Sequence, residues 1–385
     1  MRESIIARTE RGRGFKLTMK VSLVPAVLGI ILSLAGFTPA NDDNNKSHSS
    51  EKLERSTAVD PHASITLCVM SGKLTVRGWD KNELRVRSTD ADQLELRRID
   101  KVKDKDKDSV TPAMRIDVMV VDKQTPKGDC QAVADVEMDV PKEATVQVQT
   151  RDGDIYITGV GGAYAGSQNG DINIERASKF VEAGSVGGSI SLKDSTGRIN
   201  LSSAGGGVEV ENVRPLGPED TFEVGTVSGD IQLDHVSNPK VMAKTVNGTV
   251  TMTGPLARAG YYGFTTMGGD VVLMMPRDAS FTLNARVSEK NDIISDFPLK
   301  YLPEHPPAPA SKPNPIPEDK LKTVEPVPKA PKVQPPSKNG PIIAPVVVVK
   351  PVVINPFKRI SAVCGGGDAT ITLSSFGGTL HLKRM

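Results

Sequence analysis

Aromatic side chains are scarce, with one Trp, five Tyr and nine Phe in 385 residues. A core of any size must therefore be built from Val, Ile and Leu. Five His and three Cys leave little material for a zinc site, and His48, His62, His235, His305 and His381 are scattered. No HExxH, GxSxG, P-loop or CxxC pattern is present. Charge of one sign is missing too: 48 basic residues face 46 acidic ones. That balance argues against a nucleic-acid binder, which needs a basic excess. Long apolar runs are nearly absent. What the chain does have is 35 Gly and 28 Pro.

The single long apolar run, Val21–Phe37, follows Arg2, Arg8, Arg11, Arg13, Lys16 and Lys20. The small-x-small pattern of a cleavage site stands at its end, in Ser33-Leu34-Ala35, and just after it, in Thr38-Pro39-Ala40. This is the layout of an export signal, expected over 1–40. At 17 residues the run is marginal for a membrane span of about 20. It makes a membrane contact only if it stays uncleaved as an anchor. The location expected is extracytoplasmic: periplasm, cell surface or secreted. In an oxidising compartment Cys68 and Cys130, which fall in one expected domain, are candidates for a disulfide. The alternative is that all three cysteines are small buried hydrophobes.

Residues 41–57 are polar and read as a flexible spacer. From 58 to 145, segments such as Ser64–Val69, Lys73–Arg77 and Met114–Val120 alternate apolar with polar, the signature of half-buried strands. This stretch is expected to form an N-terminal β-rich cap. The charge run Arg97–Asp108 within it reads as a solvated hairpin loop.

A repeat then takes over. The unit Thr/Ser-x-x-Gly-x-apolar-x-apolar recurs with its glycine at Gly153, Gly170, Gly188, Gly197, Gly229, Gly248, Gly269 and, near the end, Gly378. A degenerate copy has Gly206 ahead of Val208 and Val210. The step is 17 to 23 residues, with a half-step of nine on either side of Gly197. A unit of this size holds two or three short strands. It is too short for a propeller blade of about 40 residues and suits one coil of a β-solenoid. The glycines are expected to turn corners at positive φ. The alternating apolar residues after them should stack into ladders such as Ile155, Ile172 and Ile190, each contributing roughly 1.5–3 kcal/mol on burial. Residues 146–300 would make about eight coils, near 40 Å at about 4.8 Å per coil. The predicted fold is therefore all-β: a β-solenoid of the single-stranded β-helix type.

Residues 301–357 interrupt it. Leu302–Pro356 holds 16 of the 28 prolines and is expected to be a disordered Pro-rich insert. Its last part, Pro341–Pro356, is more apolar. The repeat pattern resumes over 358–385, so the final unit should complete the solenoid.

Asp154, Asp171, Asp230 and Asp270 share the position after the repeat glycine. A stacked acidic stripe could bind calcium or hydrolyse a sugar. Ser189, Arg198, Thr249 and Thr379 fill the same slot elsewhere, which favours plain turn chemistry. Tyr261-Tyr262 could contact a ligand or pack at a coil end. No residue is assigned a catalytic, cofactor-binding or metal-binding role.

The units quoted above, with Thr226–Ile231 reading Thr-Val-Ser-Gly-Asp-Ile, make the chain resemble a bacterial "putative adhesin" domain family of unknown function. Ser295–Leu299 and the link Gly365-Gly366-Gly367 add to the likeness, which covers roughly 60–300 and 358–385. The resemblance implies an extracytoplasmic β-solenoid without assigned catalytic residues. The expectation is an exported, non-enzymatic protein without a cofactor, working by surface contact in adhesion or envelope structure. Its partner would be a glycan, an envelope polymer or a protein. A regulatory envelope sensor and a polysaccharide-active β-helix enzyme are the alternatives.

Overall fold

The computed structural model describes residues 53–89, 91–100, 111–121, 130–303 and 357–385. The expected signal, most of the spacer, most of the charge run and the Pro-rich insert lie outside the described residues. No described residue is in an α-helix, and no helix there is long and apolar enough to cross a membrane.

The N-terminal strands are β1 (Leu53–Ser71), β2 (Leu74–Trp79), β3 (Glu83–Ser88), β4 (Gln93–Arg98), β5 (Ala113–Val121) and β6 (Val136–Pro141). Seven two-strand coils follow in chain order. The first four are β7 (Thr145–Asp152) with β8 (Ile155–Thr158), β9 (Gly162–Ser167) with β10 (Ile172–Glu175), β11 (Phe180–Ser185) with β12 (Ile190–Lys193), and β13 (Arg198–Ser203) with β14 (Val208–Val213). The other three are β15 (Thr221–Thr226) with β16 (Ile231–Val236), β17 (Lys240–Lys244) with β18 (Val250–Thr253), and β19 (Tyr261–Thr266) with β20 (Val271–Met275). The chain ends with β21 (Phe281–Ser288), β22 (Ile293–Ser295), β23 (Lys300–Tyr301), β24 (Phe357–Cys364), β25 (Ala369–Ser375) and β26 (Leu380–Arg384).

In each coil the Thr/Ser-x-x-Gly turn joins an upstream strand to a downstream strand. The upstream strands β7, β9, β11, β13, β15, β17 and β19 pair in parallel to form one face. The downstream strands β8 to β20 pair in parallel to form the other. The 26 strands of the described residues belong to one connected, open sheet, because β1 contributes to both faces. The all-β solenoid is thus what the chain forms, with two strands per coil.

The core lies between the faces. Ile155, Ile172 and Ile190 pair in successive coils, as do Ile157, Ile174 and Leu192, and all six are buried. The opposite ladder is contributed by residues upstream of the repeat hydroxyl, such as Val146, Ala163, Val181, Ile199 and Phe222. A complete coil therefore reads apolar-x-apolar-x-Ser/Thr-x-x-Gly-x-apolar-x-apolar.

The turn is where the structure departs from expectation. Among the repeat glycines named above only Gly197 has a positive φ, at 98°; Gly72, which heads the column next to Gly153, has one as well, at 128°. For Gly153, Gly170, Gly188, Gly229, Gly248, Gly269 and Gly378 the reason is close approach. A Cβ at any of them, or at Gly206, would lie 2.0–2.3 Å from the carbonyl oxygen of the corresponding glycine in the neighbouring coil. Gly206 is the in-frame member of this column. Gly197 sits at the opposite corner, where a Cβ would lie 1.8 Å from the Lys179 carbonyl oxygen, so the half-step of nine marks the second corner of a coil.

The repeat hydroxyl completes the contact. Ser167, Ser185, Ser203, Thr226, Thr245, Thr266 and Ser375 are buried. Each donates to the carbonyl of the neighbouring coil's glycine at 2.9–3.2 Å. Ser167, Ser185, Ser203, Thr266 and Ser375 also accept from the N–H of their own coil's glycine, three residues on, at 2.8–3.1 Å. One hydroxyl thus satisfies a donor and an acceptor that would otherwise be buried unpaired.

Neither end of the stack follows chain order. Both sheet faces run on across residue 145: β1 pairs with β7 and β2 with β8, while β5 and β6 lie beyond β1 and β2. Antiparallel β4 then covers β5, and β3 covers β6. At the other end the last repeat, β25 with β26, slots between the β19–β20 coil and the β21–β22 coil. Strand β24 closes this end antiparallel to β21. Ser288–Ile293 (Ser-Glu-Lys-Asn-Asp-Ile), a copy of the repeat that lacks its glycine, is the turn of the terminal coil, and there the Asn291 N–H donates to the Ser288 carbonyl. Cys68 and Cys130 are joined by a disulfide, and Cys364 is a buried free thiol whose pKa burial pushes up.

At the N-terminal end Arg98 donates to Asp100 Oδ2 through Nε and Nη2 at 3.0 and 2.7 Å, and this holds the Asp100 carboxyl down at about 2. The pair supports the β4–β5 hairpin fully above about pH 4, the ordinary carboxylate range. That support is lost as pH falls from there through about 2. Acid titration followed by hydrogen exchange should show β4 loosening in this window, and Asp100→Asn should remove the transition. For the turns, Gly229→Ala should lower stability by about 1–3 kcal/mol through overpacking, whereas Gly217→Ala, with open space around it, should leave the melting temperature unchanged. Ser185→Ala should cost about 1–3 kcal/mol for each backbone group left unpaired. Ser185→Thr should melt close to the parent, since Thr226, Thr245 and Thr266 fill the same column. Thermal denaturation of the four glycine and serine variants checks both statements.

Candidate functional site

The Asp column predicted from the repeats is engaged in holding coils together. Oδ1 of Asp154, Asp171, Asp230 and Asp270 accepts the N–H of the same slot in the next coil, from Asp171, Ser189, Thr249 and Thr379, at 2.7–3.0 Å. Asp135 does the same for Lys73 at 2.7 Å. One carboxylate oxygen of each is thus committed to a neighbouring backbone. Among the described residues no group of three or more His, Cys, Asp or Glu is gathered as a metal site. Tyr262 belongs to the core, its hydroxyl taking the Ala257 N–H at 2.6 Å and its pKa raised by burial, while Tyr261 faces outward.

The outer surface of the upstream face offers a different arrangement. Parallel register places the outward residues in columns. Three residues before each hydroxyl stand Gln147, Tyr164, Glu182, Asn200 and Glu223 in successive coils. One residue before it stand Gln149, Gly166, Gly184, Ser202 and Gly225. The small second column makes a furrow beside the larger first one. The result is an open depression of about 320 Å³ lined by Gln147, Gln149, Tyr164, Gly166, Glu182, Gly184, Asn200 and Ser202. A second depression of about 260 Å³ shares Glu182 and Asn200 and continues to Phe180, Arg198, Thr221 and Glu223. A third, of about 170 Å³, shares Gln149 and reaches the Cys68–Cys130 disulfide, Arg97 and Asp117.

The chemistry of this tract is amide, hydroxyl and carboxylate beside an aromatic pair, with Arg97 and Arg198 in the two flanking depressions. The Tyr164 and Phe180 rings lie 5.0 Å apart at 57°. Such groups donate and accept hydrogen bonds. None of these residues stands out in the sequence, because the recognisable repeat begins at the hydroxyl and runs downstream. Aligning the copies three residues upstream lines up Gln147, Tyr164, Glu182, Asn200 and Glu223.

The fold and this surface define a two-faced parallel β-solenoid with an open, polar outer face. The family described as Toastrack DUF4097 matches residues 62–300, and the chain belongs to that family. No curated protein matches it. Among solved structures it is similar to a "putative adhesin" from Bacteroides fragilis, at 15% identity over 59% of this chain and 97% of that one, with a TM-score of 0.38. It is also similar to a "putative adhesin" from Parabacteroides merdae, at 10% identity over 59% and 90%, TM-score 0.35. A "putative lipid binding protein" from Parabacteroides distasonis matches at 14% identity over 59% and 91%, TM-score 0.32.

Proposed function

We propose that this chain is an exported, non-enzymatic binding protein of the cell envelope or surface, and that it holds a hydroxyl-rich ligand such as a glycan against the outer upstream face. The observation that carries this reading is the shallow tract around Tyr164, Glu182 and Asn200. An exposed ring offers an apolar face to sugar C–H groups, and the amides and carboxylates beside it match ring hydroxyls. The glycine furrow lets a flat, extended polymer approach the backbone. The depressions succeed one another across neighbouring coils, which suits a polymer better than a small molecule.

Two features support export, and a third supports a non-enzymatic role. The first 40 residues carry the basic, apolar and small-residue order of a signal. The Cys68–Cys130 disulfide suits an oxidising compartment. The acids of the repeat are engaged in coil-to-coil hydrogen bonds, which favours binding over glycan hydrolysis.

Glycan-array and envelope-polymer binding by the mature chain tests the proposal. Tyr164→Ala and Glu182→Gln should each weaken binding roughly tenfold; the exposed Glu182 change should leave the melting temperature within about 1 °C of the parent, and Tyr164→Ala, which gives up the ring contact with Phe180, should lower it by no more than about 4 °C. A chain that binds no glycan or envelope polymer, or one whose binding ignores both substitutions, would sink this reading.

A further inference from the structure

The residue that follows each repeat hydroxyl lies at the corner between the two faces. Strand register places Val186, Ala204, Val227, Val246, Met267 and Phe376 there in six consecutive coils. The five large ones are 37–60% exposed. The two coils before them carry Arg151 and Gln168 instead, so the apolar stripe begins at Val186 and runs to one end. At about 4.8 Å per coil it is about 24 Å long. The turn itself makes no demand for an apolar side chain at this point, and a contiguous apolar row on a surface marks an interaction site.

The far end of the stripe shows what covers it. The Phe357 ring lies 5.4 Å from that of Phe376, with the Arg286 guanidinium 3.9 Å from the Phe357 ring centroid. Phe357 is the residue at which the chain re-enters the described fold after 304–356. The segment leading into it, Pro341–Pro356, reads PIIAPVVVVKPVVINP, with ten Val, Ile or Ala and one charge. These 16 residues can reach about 50 Å when extended, twice the length of the stripe.

We propose that this chain covers its own corner: residues 342–354 dock along the stripe, their Val and Ile side chains against Phe376, Met267, Val246, Val227 and Val186. A row one side chain wide falls short of the roughly 1,200–2,000 Å² that a stable interface between separate chains buries. A segment tethered at Phe357 needs less, because its local concentration is in the millimolar range. The prolines and single lysine are compatible with this, since docking at a corner asks for side-chain contact and not for a place in the hydrogen-bonded ladder.

The test uses the full chain with a benzophenone photo-cross-linking residue at Val227 or, separately, at Met267. Both positions are exposed, so the fold is retained. Mass spectrometry of the cross-linked monomer should find the partner peptide within 341–356. Cross-links that join two chains, or that fall only elsewhere in the chain, overturn the proposal. As a second measurement, the amides of Val346–Val349 should exchange at least about tenfold more slowly in the parent than in a Val227→Asp, Met267→Asp double variant. Equal exchange in the two chains, with matching melting temperatures, also overturns it.

Discussion

The carbonyl oxygens of Gly153, Gly170, Gly188, Gly206, Gly229, Gly248 and Gly269 each receive the hydroxyl of the next coil, and the spacing of the whole stack depends on that contact. For the hydroxyl to reach, the two turns must approach until no Cβ fits between them, which makes glycine obligatory at Gly170, Gly188, Gly229 and their equivalents. Once the turns are seated, strand register follows. A fixed register superimposes Ile155 on Ile172 and Ile172 on Ile190, and a slip of one residue would turn these side chains out to water. The Asp carboxylates repeat the logic one residue further on, each accepting the backbone N–H of the following coil. Hydroxyl, glycine, acid and first Ile are thus four consecutive devices for the same task of stacking identical coils.

A stack of parallel coils has open ends, and unpaired strands there invite association. This chain closes both ends by leaving chain order. At the N-terminal end β5 and β6 are laid outside β1 and β2, and antiparallel β3 and β4 cover them. At the C-terminal end β21 and β22 are laid down first, and β25 and β26 then enter beneath them, with β24 as the cover. The repeat turn weakens at Ser288–Ile293 because no further coil presses on it. The same departure from order brings Phe357 back beside Phe376, where the insert returns to the fold.

The repetition that builds the scaffold also distributes its surface chemistry. Because hydroxyl and glycine fix only the turn, outward positions are free to vary from coil to coil. On the upstream face they become Gln147, Tyr164, Glu182 and Asn200, a tract that changes along the stack. At the corner they become an uninterrupted row from Val186 to Phe376. One side of the same coil thus carries polar variety suited to an external polymer, while its corner carries apolar uniformity suited to a segment of the chain itself.

Period-two alternation and the recurring Thr/Ser-x-x-Gly unit by themselves determined an all-β solenoid, its core ladders and the return of the repeat after the insert, because these depend on local side-chain pattern. Three things were decided only in three dimensions. The reason for glycine is a contact between stacked coils, so a sequence reading supplies positive φ as the nearest local explanation, and that holds only at Gly197 and at Gly72, the first member of the column. The order of coils at the two ends depends on which strand edge is free when the chain arrives, and each unit's own sequence is silent on that. The candidate site joins Gln147, Tyr164, Glu182 and Asn200, which share no residue type; parallel register alone makes them neighbours, and register is a property of the stacked sheet.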